Sequence, residues 1–324
     1  MRRAASLWGN VLIPILLASA AYAQVDLAAS DNDHVTIRID GQPFSTFYIG
    51  TAYAKPFLAP LRSADGRIVT RRFPMERVEG ESRDHPHHKG LWIGYGDING
   101  INFWETEAES RPSPENPQTK GTIRLVRLGE VQSGKKSGSV TAEFAWDGPQ
   151  KTPILAETRT LTFYADDKIR RLDVDTNLTA QTDVRFGDTK EGFFAIRVAD
   201  SMSGKNGGIM TNSEGEHTEK DVWGKRADWV DYVGTVDGQK TGILILDNPA
   251  NPNHPPRWHA RDYGLFAVNP FGIKEFDPKS AEHGGFHIAK GATAEFRYRV
   301  IIHPGDSSKK DIVHWYSEYA KSGK

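Results

Sequence analysis

The chain of 324 residues contains no cysteine. This absence excludes disulfide bonds, thiol nucleophiles and thiolate metal sites, so a packed core must supply the stability. The formal net charge is only -1, from 41 basic and 42 acidic side chains, which gives no electrostatic basis for binding nucleic acid or an anionic membrane. After residue 23, no apolar run reaches the length of a membrane-spanning helix. We therefore expect a soluble protein whose partner is a small molecule.

Residues 1–23 have the features of a secretory signal peptide. Arg2 and Arg3 form a positive start, an apolar run extends from Val11 to Ala21, and Ala21-Tyr22-Ala23 is a small-x-small cleavage pattern. The sequence predicts cleavage after Ala23 and export to the periplasm or the extracellular space, with no membrane attachment afterwards.

Most of the remaining sequence alternates apolar and polar residues with period two and is rich in β-branched and aromatic residues, which is typical of strands. Turn-forming sequences at 134–138 and 165–168 join consecutive segments and favour hairpins. An apolar stripe from Ile312 to Tyr319 has helical spacing, with Asp306 or Ser307 as a suitable cap. The sequence therefore predicts an all-β fold, a large antiparallel β-sandwich formed as one domain by residues 24–324, with a short C-terminal helix. The predicted strands are 34–40, 44–53, 121–128, 139–146, 157–164, 169–178, 192–198, 229–236, 242–247, 263–268 and 294–302.

Residues 83–105 combine three histidines, two tryptophans, acids and asparagines in one short segment. A packed core does not need this mixture, because every buried polar group must find a partner, whereas a site for a polar ligand does. If the segment is extended, His85 and His87 point the same way and His88 points opposite. A same-face pair of this kind can begin a divalent metal site, so His85 and His87 are candidate ligands. Alternatively, His87 and His88 are acid–base groups.

Two later segments carry similar chemistry. Asp188, Lys190 and Glu191 precede an apolar strand that contains Arg197, and this places opposite charges where a pKa can be tuned. The second segment, residues 253–263, is a proline-stiffened loop that we expect to meet the first histidine cluster across a cleft. Its functional side chains are His254, Arg257, Trp258, His259 and Tyr263, and Asn269 follows in the next strand.

Several strings resemble a family of secreted bacterial proteins of unknown function whose members are often labelled methane oxygenase PmoA. These strings are Lys55–Arg62, Asp65–Arg71, Asp84–Trp92, Asp97–Trp104 and Asn253–His259, and the resemblance spans residues 34 to 304. The label does not fit literally, because a membrane methane monooxygenase subunit is a bundle of apolar helices. The resemblance implies instead a fold similar to the galactose-mutarotase supersandwich, in which a concave sheet face carries His, Arg and a carboxylate around one sugar ring. By type, the counterparts here are His87, His88, Glu191, Arg197, His254 and His259.

The sequence and this resemblance together predict a secreted carbohydrate-active enzyme, either glycoside-cleaving or mutarotase-like, with oxidised (keto) sugars as one substrate class. A histidine supplies the acid and Glu191 or Asp188 the base, while Arg72, Arg197 and Arg257 stabilise an oxyanion. The candidate catalytic residues are His87, His88, Glu191, His254 and His259. The candidate substrate-binding residues are Arg72, Trp92, Asp97, Asn99, Trp104, Lys190, Arg197, Arg257, Trp258, Tyr263 and Asn269.

Two other functions stay open at this stage. One is a metal-dependent hydrolase or oxygenase, in which His85 and His87 hold a divalent metal, the one cofactor that the sequence suggests. The other is a non-catalytic glycan-binding module, in which Trp92, Trp104 and Trp258 matter more than the histidines. All three functions have a sugar or oligosaccharide as ligand or substrate.

Overall fold

The computed structural model describes residues 24–107 and 119–322. The predicted signal peptide therefore lies outside the described residues. The described chain forms two eight-stranded antiparallel sheets and two two-stranded pairs, which confirms the predicted β-sandwich. The strands are β1 (Val25–Ser30), β2 (His34–Ile39), β3 (Gln42–Tyr48), β4 (Phe57–Leu58), β5 (Leu91–Tyr95), β6 (Ile101–Asn102), β7 (Thr119–Lys120), β8 (Thr122–Gln132), β9 (Ser137–Asp147), β10 (Pro153–Tyr164), β11 (Arg170–Ala180), β12 (Val184–Phe186), β13 (Gly192–Arg197), β14 (Ile209–Asn212), β15 (Trp229–Val236), β16 (Gln239–Asp247), β17 (Arg257–Ala260), β18 (Leu265–Asn269), β19 (Phe286–Ile288) and β20 (Thr293–Pro304).

The first large sheet, sheet 1, has the strand order β1-β2-β3-β4-β5-β13-β18-β17, and sheet 2 has the order β14-β15-β16-β20-β11-β10-β9-β8. Their inner faces form one apolar core. Aromatic pairs cross between the sheets: Phe194 stacks on Tyr298 with ring centroids 4.5 Å apart, and Phe47 meets Phe144 edge to face at 6.2 Å. Burying side chains of this size contributes about 2–3 kcal/mol each, so the core replaces the missing disulfides as the source of stability.

The helices are few and short. Helix α1 (Glu219–Val222) is a single turn, and α2 (Lys309–Lys321) is the expected C-terminal helix. Helix α2 packs Ile312 and Tyr319 against the outer face of sheet 2. Its cap is Ser308 rather than Asp306 or Ser307, because Asp311 N donates to Ser308 Oγ at 3.3 Å and Ser308 N donates back to the Asp311 carboxylate at 2.9 Å. Neither helix in the described chain is long and apolar enough to cross a membrane.

Strands β9, β10 and β11 of sheet 2 follow the predicted alternation closely, and both predicted hairpins form, between β8 and β9 and between β10 and β11. Several strands do not alternate, β5 and β17 among them. Strand β5 is buried on both faces, and β17 has three consecutive buried residues, so neither alternates. Strand β17 therefore corrects the prediction of a loop over residues 253–263. These two strands lie in the part of sheet 1 that carries the candidate site.

Candidate functional site

A row of side chains crosses the outer face of sheet 1. The strand register aligns Phe57 with Trp92, Trp92 with Ala195, Ala195 with Ala267, and Ala267 with His259. Neighbouring strands lie about 4.8 Å apart, so the backbones at Trp92 and His259 are roughly 14 Å apart. Ala195 and Ala267 lie between Trp92 and His259 and form a low surface, which we call the alanine floor. Larger side chains at these two positions would fill the space above the sheet.

Tyr263 lies over this floor, where it packs with Ala195 and Ala267. Its ring stacks on His85 with centroids 5.1 Å apart and planes 3° from parallel. The guanidinium carbon of Arg197 lies 4.8 Å from the ring centroid. Burial, and then the nearby negative charge of Glu191, raise the pKa of Tyr263, so its hydroxyl stays protonated at neutral pH.

The histidine segment is a tight turn and not an extended strand, which corrects the expected orientation of its rings. His85 has a positive φ of 44°, and His88 N donates to His85 O at 3.0 Å. The turn therefore brings His85 and His88 together, with ring centroids 4.8 Å apart and planes 6° from parallel. His87 meets His88 edge to face at 4.4 Å.

Two arginines hold this turn. Arg71 donates to Asp84 O at 2.8 Å and to His85 O at 2.9 Å, and it also pairs with the Asp84 carboxylate. Arg197 Nη2 donates to Asp84 Oδ1 at 2.7 Å. Burial acts to raise the pKa of Asp84, but the hydrogen bond with His85 and the charges of Arg197 and Arg71 hold it well below its usual range. The carboxylate is therefore an anion that fixes the position of the turn.

His88 is the most enclosed member of the cluster, with 1% of its surface exposed. It stacks on Trp92 at 5.0 Å and meets Trp104 edge to face at 5.8 Å. Burial, together with the positive charges around it, holds the pKa of His88 well below 6.5, so the ring is neutral. Trp92 and Trp104 are themselves fully buried, so they support His88 and present no exposed face for stacking a sugar.

His259 forms the opposite wall. Its Nδ1 donates to the carbonyl oxygen of Lys190 at 2.9 Å, while its Nε2 is buried and makes no hydrogen bond to any described residue. Trp223 and Phe276 meet the ring edge to face at 6.5 and 5.9 Å. Burial, and then the charges of Lys190 and Arg261, lower the pKa of His259 to about 3. The ring is therefore a neutral base with an unused lone pair.

Carboxylates and a lysine complete the open side of the site. Lys190 Nζ lies 2.9 Å from Glu275 Oε1 and 3.5 Å from Glu191 Oε1. Burial raises the pKa of Glu191, and the charges of Glu105 and Glu275 raise it further against the opposing charge of Lys190. The Glu191 side chain is 28% exposed, so a carboxyl group with a raised pKa reaches solvent at the site. A partly exposed carboxyl group whose pKa is raised is a candidate general acid–base group.

Four of the acidic and amide residues from the sequence analysis bind backbone groups. Asp188 accepts from the backbone N–H groups of residues 273, 274 and 284 at 2.6–2.9 Å, and Asn269 Nδ2 donates to the carbonyl oxygen of residue 189 at 2.9 Å. Together they fix the loop that carries Lys190 and Glu191. Asp97 and Asn99 similarly accept from the N–H groups of residues 100 and 185, each at 2.8 Å, and shape the turn after β5.

His254 does not join the other histidines. Its Nδ1 lies 2.6 Å from Asp247 Oδ2 and its Nε2 lies 3.3 Å from Asp228 Oδ1. Burial acts to lower the pKa of His254, but the hydrogen bonds to Asp228 and Asp247 more than offset this and raise it to about 9. Of the two histidines in residues 253–263, only His259 therefore lies across the floor from the first histidine cluster.

Three other candidates are bound to partners outside the floor. Trp258 is fully buried in the core between the sheets, where its Nε1 donates to the carbonyl oxygen of residue 227 at 2.9 Å. Arg72 lies at the surface, 3.7 Å from Glu76. Arg257 Nη1 donates to the carbonyl oxygen of residue 224 at 2.7 Å.

The model of a family of unknown function, DUF6807, matches residues 34–316. The chain belongs to the DUF6807 family. No curated protein matches the sequence.

Solved structures that resemble this DUF6807 protein share little sequence with it. A galactose mutarotase-like protein from Clostridium acetobutylicum is 8% identical with a TM-score of 0.44, over 86% of this chain and 98% of that one. A heparan sulfate lyase from Pedobacter heparinus is 11% identical with a TM-score of 0.35, over 91% and 38%. A GH36 α-galactosidase from Geobacillus stearothermophilus is 8% identical with a TM-score of 0.42, over 87% and 40%. No conclusion about activity follows from likenesses at this level.

The sequence analysis of this DUF6807 protein missed several residues of the site. Arg261 could have been found, because it lies two residues after His259 in the same polar segment. Arg71 and Glu275 gave no signal, since their partners are distant in sequence. Lys55 is fully buried and donates to the carbonyl oxygen of Trp104 at 2.8 Å. Burial lowers the pKa of Lys55 to about 7, so this amine beside the histidine cluster is partly neutral.

The divalent metal at His85 and His87 stays a prediction. Their ring centroids lie 5.7 Å apart with planes at 75°, and His85 Nδ1 lies 3.1 Å from Asp84 Oδ2. Within residues 24–107 and 119–322, no three histidine or carboxylate side chains are arranged as metal ligands.

Proposed function

We propose that this DUF6807 protein is a carbohydrate-active enzyme that moves a proton on a bound sugar, with Glu191 as the acid–base group. The observation that carries the proposal is the position of Glu191, a partly exposed carboxyl group with a raised pKa, among the charged groups that surround Tyr263 above the alanine floor. A perturbed carboxyl group of this kind is a mark of catalytic sites, because a general acid–base group works best when its pKa lies near the operating pH.

The surroundings favour a hydroxyl-rich and nearly neutral ligand. The guanidinium carbons of Arg197 and Arg261 lie 4.8 and 5.5 Å from the Tyr263 ring, and the negative charges of Glu191 and Asp84 act on the same side chain. A polyanion would meet the carboxylates of Glu191 and Glu275, whereas sugar hydroxyls can both donate to carboxylates and accept from guanidinium groups. A few convergent polar groups beside an aromatic ring are typical of small-molecule sites.

Two sugar reactions begin with the step that Glu191 can perform. In mutarotation, the carboxylate removes the proton of the anomeric hydroxyl, the bond from the anomeric carbon to the ring oxygen breaks, and that oxygen gains a proton. In β-elimination from a keto-glycoside, the carboxylate removes the proton next to the carbonyl, a carbon–carbon double bond forms, and the glycosidic oxygen leaves with its electron pair and is protonated. In either reaction the positive charges of Arg197 and Arg261 stabilise the oxygen that becomes negative.

The test is a comparison of the wild-type protein with Glu191→Gln. Mutarotation of free aldoses is followed by polarimetry, and elimination by release of nitrophenol from 4-nitrophenyl 3-keto-glycosides. Loss of a general acid–base group lowers the rate by about 10²–10⁴-fold, so we expect kcat to fall by that factor while the circular dichroism spectrum is unchanged. Glu130→Gln, on strand β8 of sheet 2, is the matched control and retains wild-type kcat.

The outcomes separate the alternatives. Turnover that survives in Glu191→Gln would contradict the assigned role. Saturable sugar binding without turnover of any of these substrates would favour the glycan-binding module. Loss of turnover on treatment with a chelator, restored by a divalent metal, would instead favour the metal-dependent enzyme.

A further inference from the structure

The contact between Arg197 and His88 determines where the proton of the His88 ring sits. Arg197 Nη1 lies 3.3 Å from His88 Nδ1. A guanidinium group can only donate hydrogen bonds, so Nδ1 must accept and carries no proton. In the neutral ring the proton then sits on Nε2. His88 is therefore held as the tautomer whose Nε2 is a donor.

Arg197 can impose this tautomer because its guanidinium group is held in one position. It is fully buried in strand β13. Its Nη2 donates to Asp84 Oδ1 at 2.7 Å and lies 3.3 Å from Ser82 Oγ. Ser82 Oγ in turn donates to Asp200 Oδ1 at 2.8 Å. The guanidinium is thus held by Asp84 and Ser82, and Asp200 positions the Ser82 hydroxyl group.

His259 has the opposite tautomer for an equally definite reason. The carbonyl oxygen of Lys190, 2.9 Å from Nδ1, can only accept a hydrogen bond, so Nδ1 carries the proton. Nε2 is then an acceptor, and it is the buried ring nitrogen without a hydrogen bond to any described residue. A buried acceptor that is left unpaired costs free energy, and such atoms call for a functional explanation.

We propose that His88 and His259 are a complementary pair of neutral imidazoles, one an N–H donor and the other an acceptor, with Arg197 as the positioning residue for His88. His88 stacks on Trp92 of β5 and His259 lies on β17, so the two rings lie on opposite sides of the alanine floor. The substrate class follows, and this part rests on the proposed function: a single sugar ring that presents a carbonyl or ring oxygen to His88 and a hydroxyl group to His259. The pair would orient the ring so that Glu191 reaches the reacting proton.

The tautomers can be observed without a substrate. Long-range ¹H–¹⁵N correlation spectra of ¹⁵N-histidine-labelled protein at neutral pH distinguish protonated from bare ring nitrogens, and His88→Gln and His259→Gln assign the two rings. We expect His88 to be protonated at Nε2 and His259 at Nδ1. The reverse tautomer at either ring in the wild-type protein overturns the proposal, and the two variants serve only to assign the signals.

Variants then test the role of Arg197. In Arg197→Met the His88 signals should shift to a mixture of tautomers while His259 is unchanged, and Arg197→Lys, which still donates, should restore the Nε2–H form. Lys190→Ala keeps the backbone carbonyl and should leave His259 protonated at Nδ1. If folded Arg197→Met gives the same His88 ring signals as the wild-type protein, Arg197 does not determine the tautomer of His88. If the tautomers are as expected but no sugar is turned over, the proposed function fails while the tautomer pair stands.

Discussion

His254 and Asp247 form a close ion pair beside helix α2, with Nδ1 and Oδ2 2.6 Å apart. Asp247 is 1% exposed, and Asp228 lies on the other side of the imidazole at 3.3 Å. Because the two carboxylates raise the pKa of His254 from 6.5 to about 9, the folded protein holds a proton there that the unfolded chain releases near neutral pH.

This pair predicts a loss of stability in alkaline solution. Because the pKa of His254 is higher in the folded state, protonated His254 stabilises the fold fully below pH 6.5. This contribution to the free energy of unfolding disappears as the pH rises through 9. Since the site is only partly buried, we expect the contribution to be about 1–2 kcal/mol. The free energy of unfolding in urea, measured from pH 7 to 10, should therefore fall more steeply for the wild type than for His254→Gln.

The test uses the difference in unfolding free energy between the wild type and His254→Gln at each pH. Lys55 has a lowered pKa of about 7, so its own contribution changes in the opposite sense, with stability gained as the pH rises from 7 to 10.5. That contribution cancels when the two curves are subtracted. His314→Gln, on the exposed side of helix α2, should keep the wild-type pH dependence, and parallel curves for the wild type and His254→Gln would rule out the assigned role.

A second prediction concerns Asp84, which pairs with two buried arginines. Asp84 is 41% exposed, but both arginines are buried, so removal of its carboxylate leaves their charges uncompensated. Asp84→Ala should therefore lower the free energy of unfolding by about 1–3 kcal/mol. Asp84→Asn keeps the acceptor oxygen and should cost less. Urea unfolding at pH 7 measures both. Glu143→Ala, which removes an exposed pair with Arg127, is the matched control and should stay close to the wild type. Equal stability of Asp84→Ala and the control would show that the arginines do not depend on Asp84.

Strands with one face toward the core and one toward solvent, such as β9 and β10, were predicted from their alternation. Strand β13 was also predicted, from its apolar run, although it is buried throughout. The strands of the site, β5 and β17, are covered on both faces and lose that signal. If residues 257–260 had been predicted as a strand, the alternation of side chains along a strand would have shown that Trp258 and His259 face opposite sides of the sheet. Trp258 would then have been assigned to the core.

The candidate site itself was predictable in its members more than in its geometry. His88, Glu191, Arg197, His259 and Tyr263 were all named from the sequence, because neutral core packing does not require their chemistry. Their arrangement depends on contacts between residues far apart in the chain, such as the pairing of Arg197 with the turn at residues 84–88. No local pattern encodes such contacts.

The cap of helix α2 gives a third prediction. Ser308 and Asp311 form a reciprocal pair of hydrogen bonds at the first turn, so Ser308→Ala should cost about 1 kcal/mol of stability. Ser307, whose hydroxyl donates to the carbonyl oxygen of Pro304 at 2.9 Å, lies outside the helix. Ser307→Ala should therefore have a smaller effect, and thermal unfolding followed by circular dichroism compares the two. A larger loss for Ser307→Ala would return the cap to the position expected from the sequence.

The last prediction distinguishes core packing from sugar binding at Trp258. The indole is fully buried, stacks on Phe266 at 5.8 Å and donates to a backbone carbonyl, and it faces away from the alanine floor. Trp258→Phe removes volume and one hydrogen bond, so the free energy of unfolding should fall by about 1–3 kcal/mol. Because the ring does not reach the site, KM for the sugar substrate should stay at its wild-type value in the folded variant. A raised KM with unchanged stability would instead make Trp258 a binding platform, as the sequence first suggested.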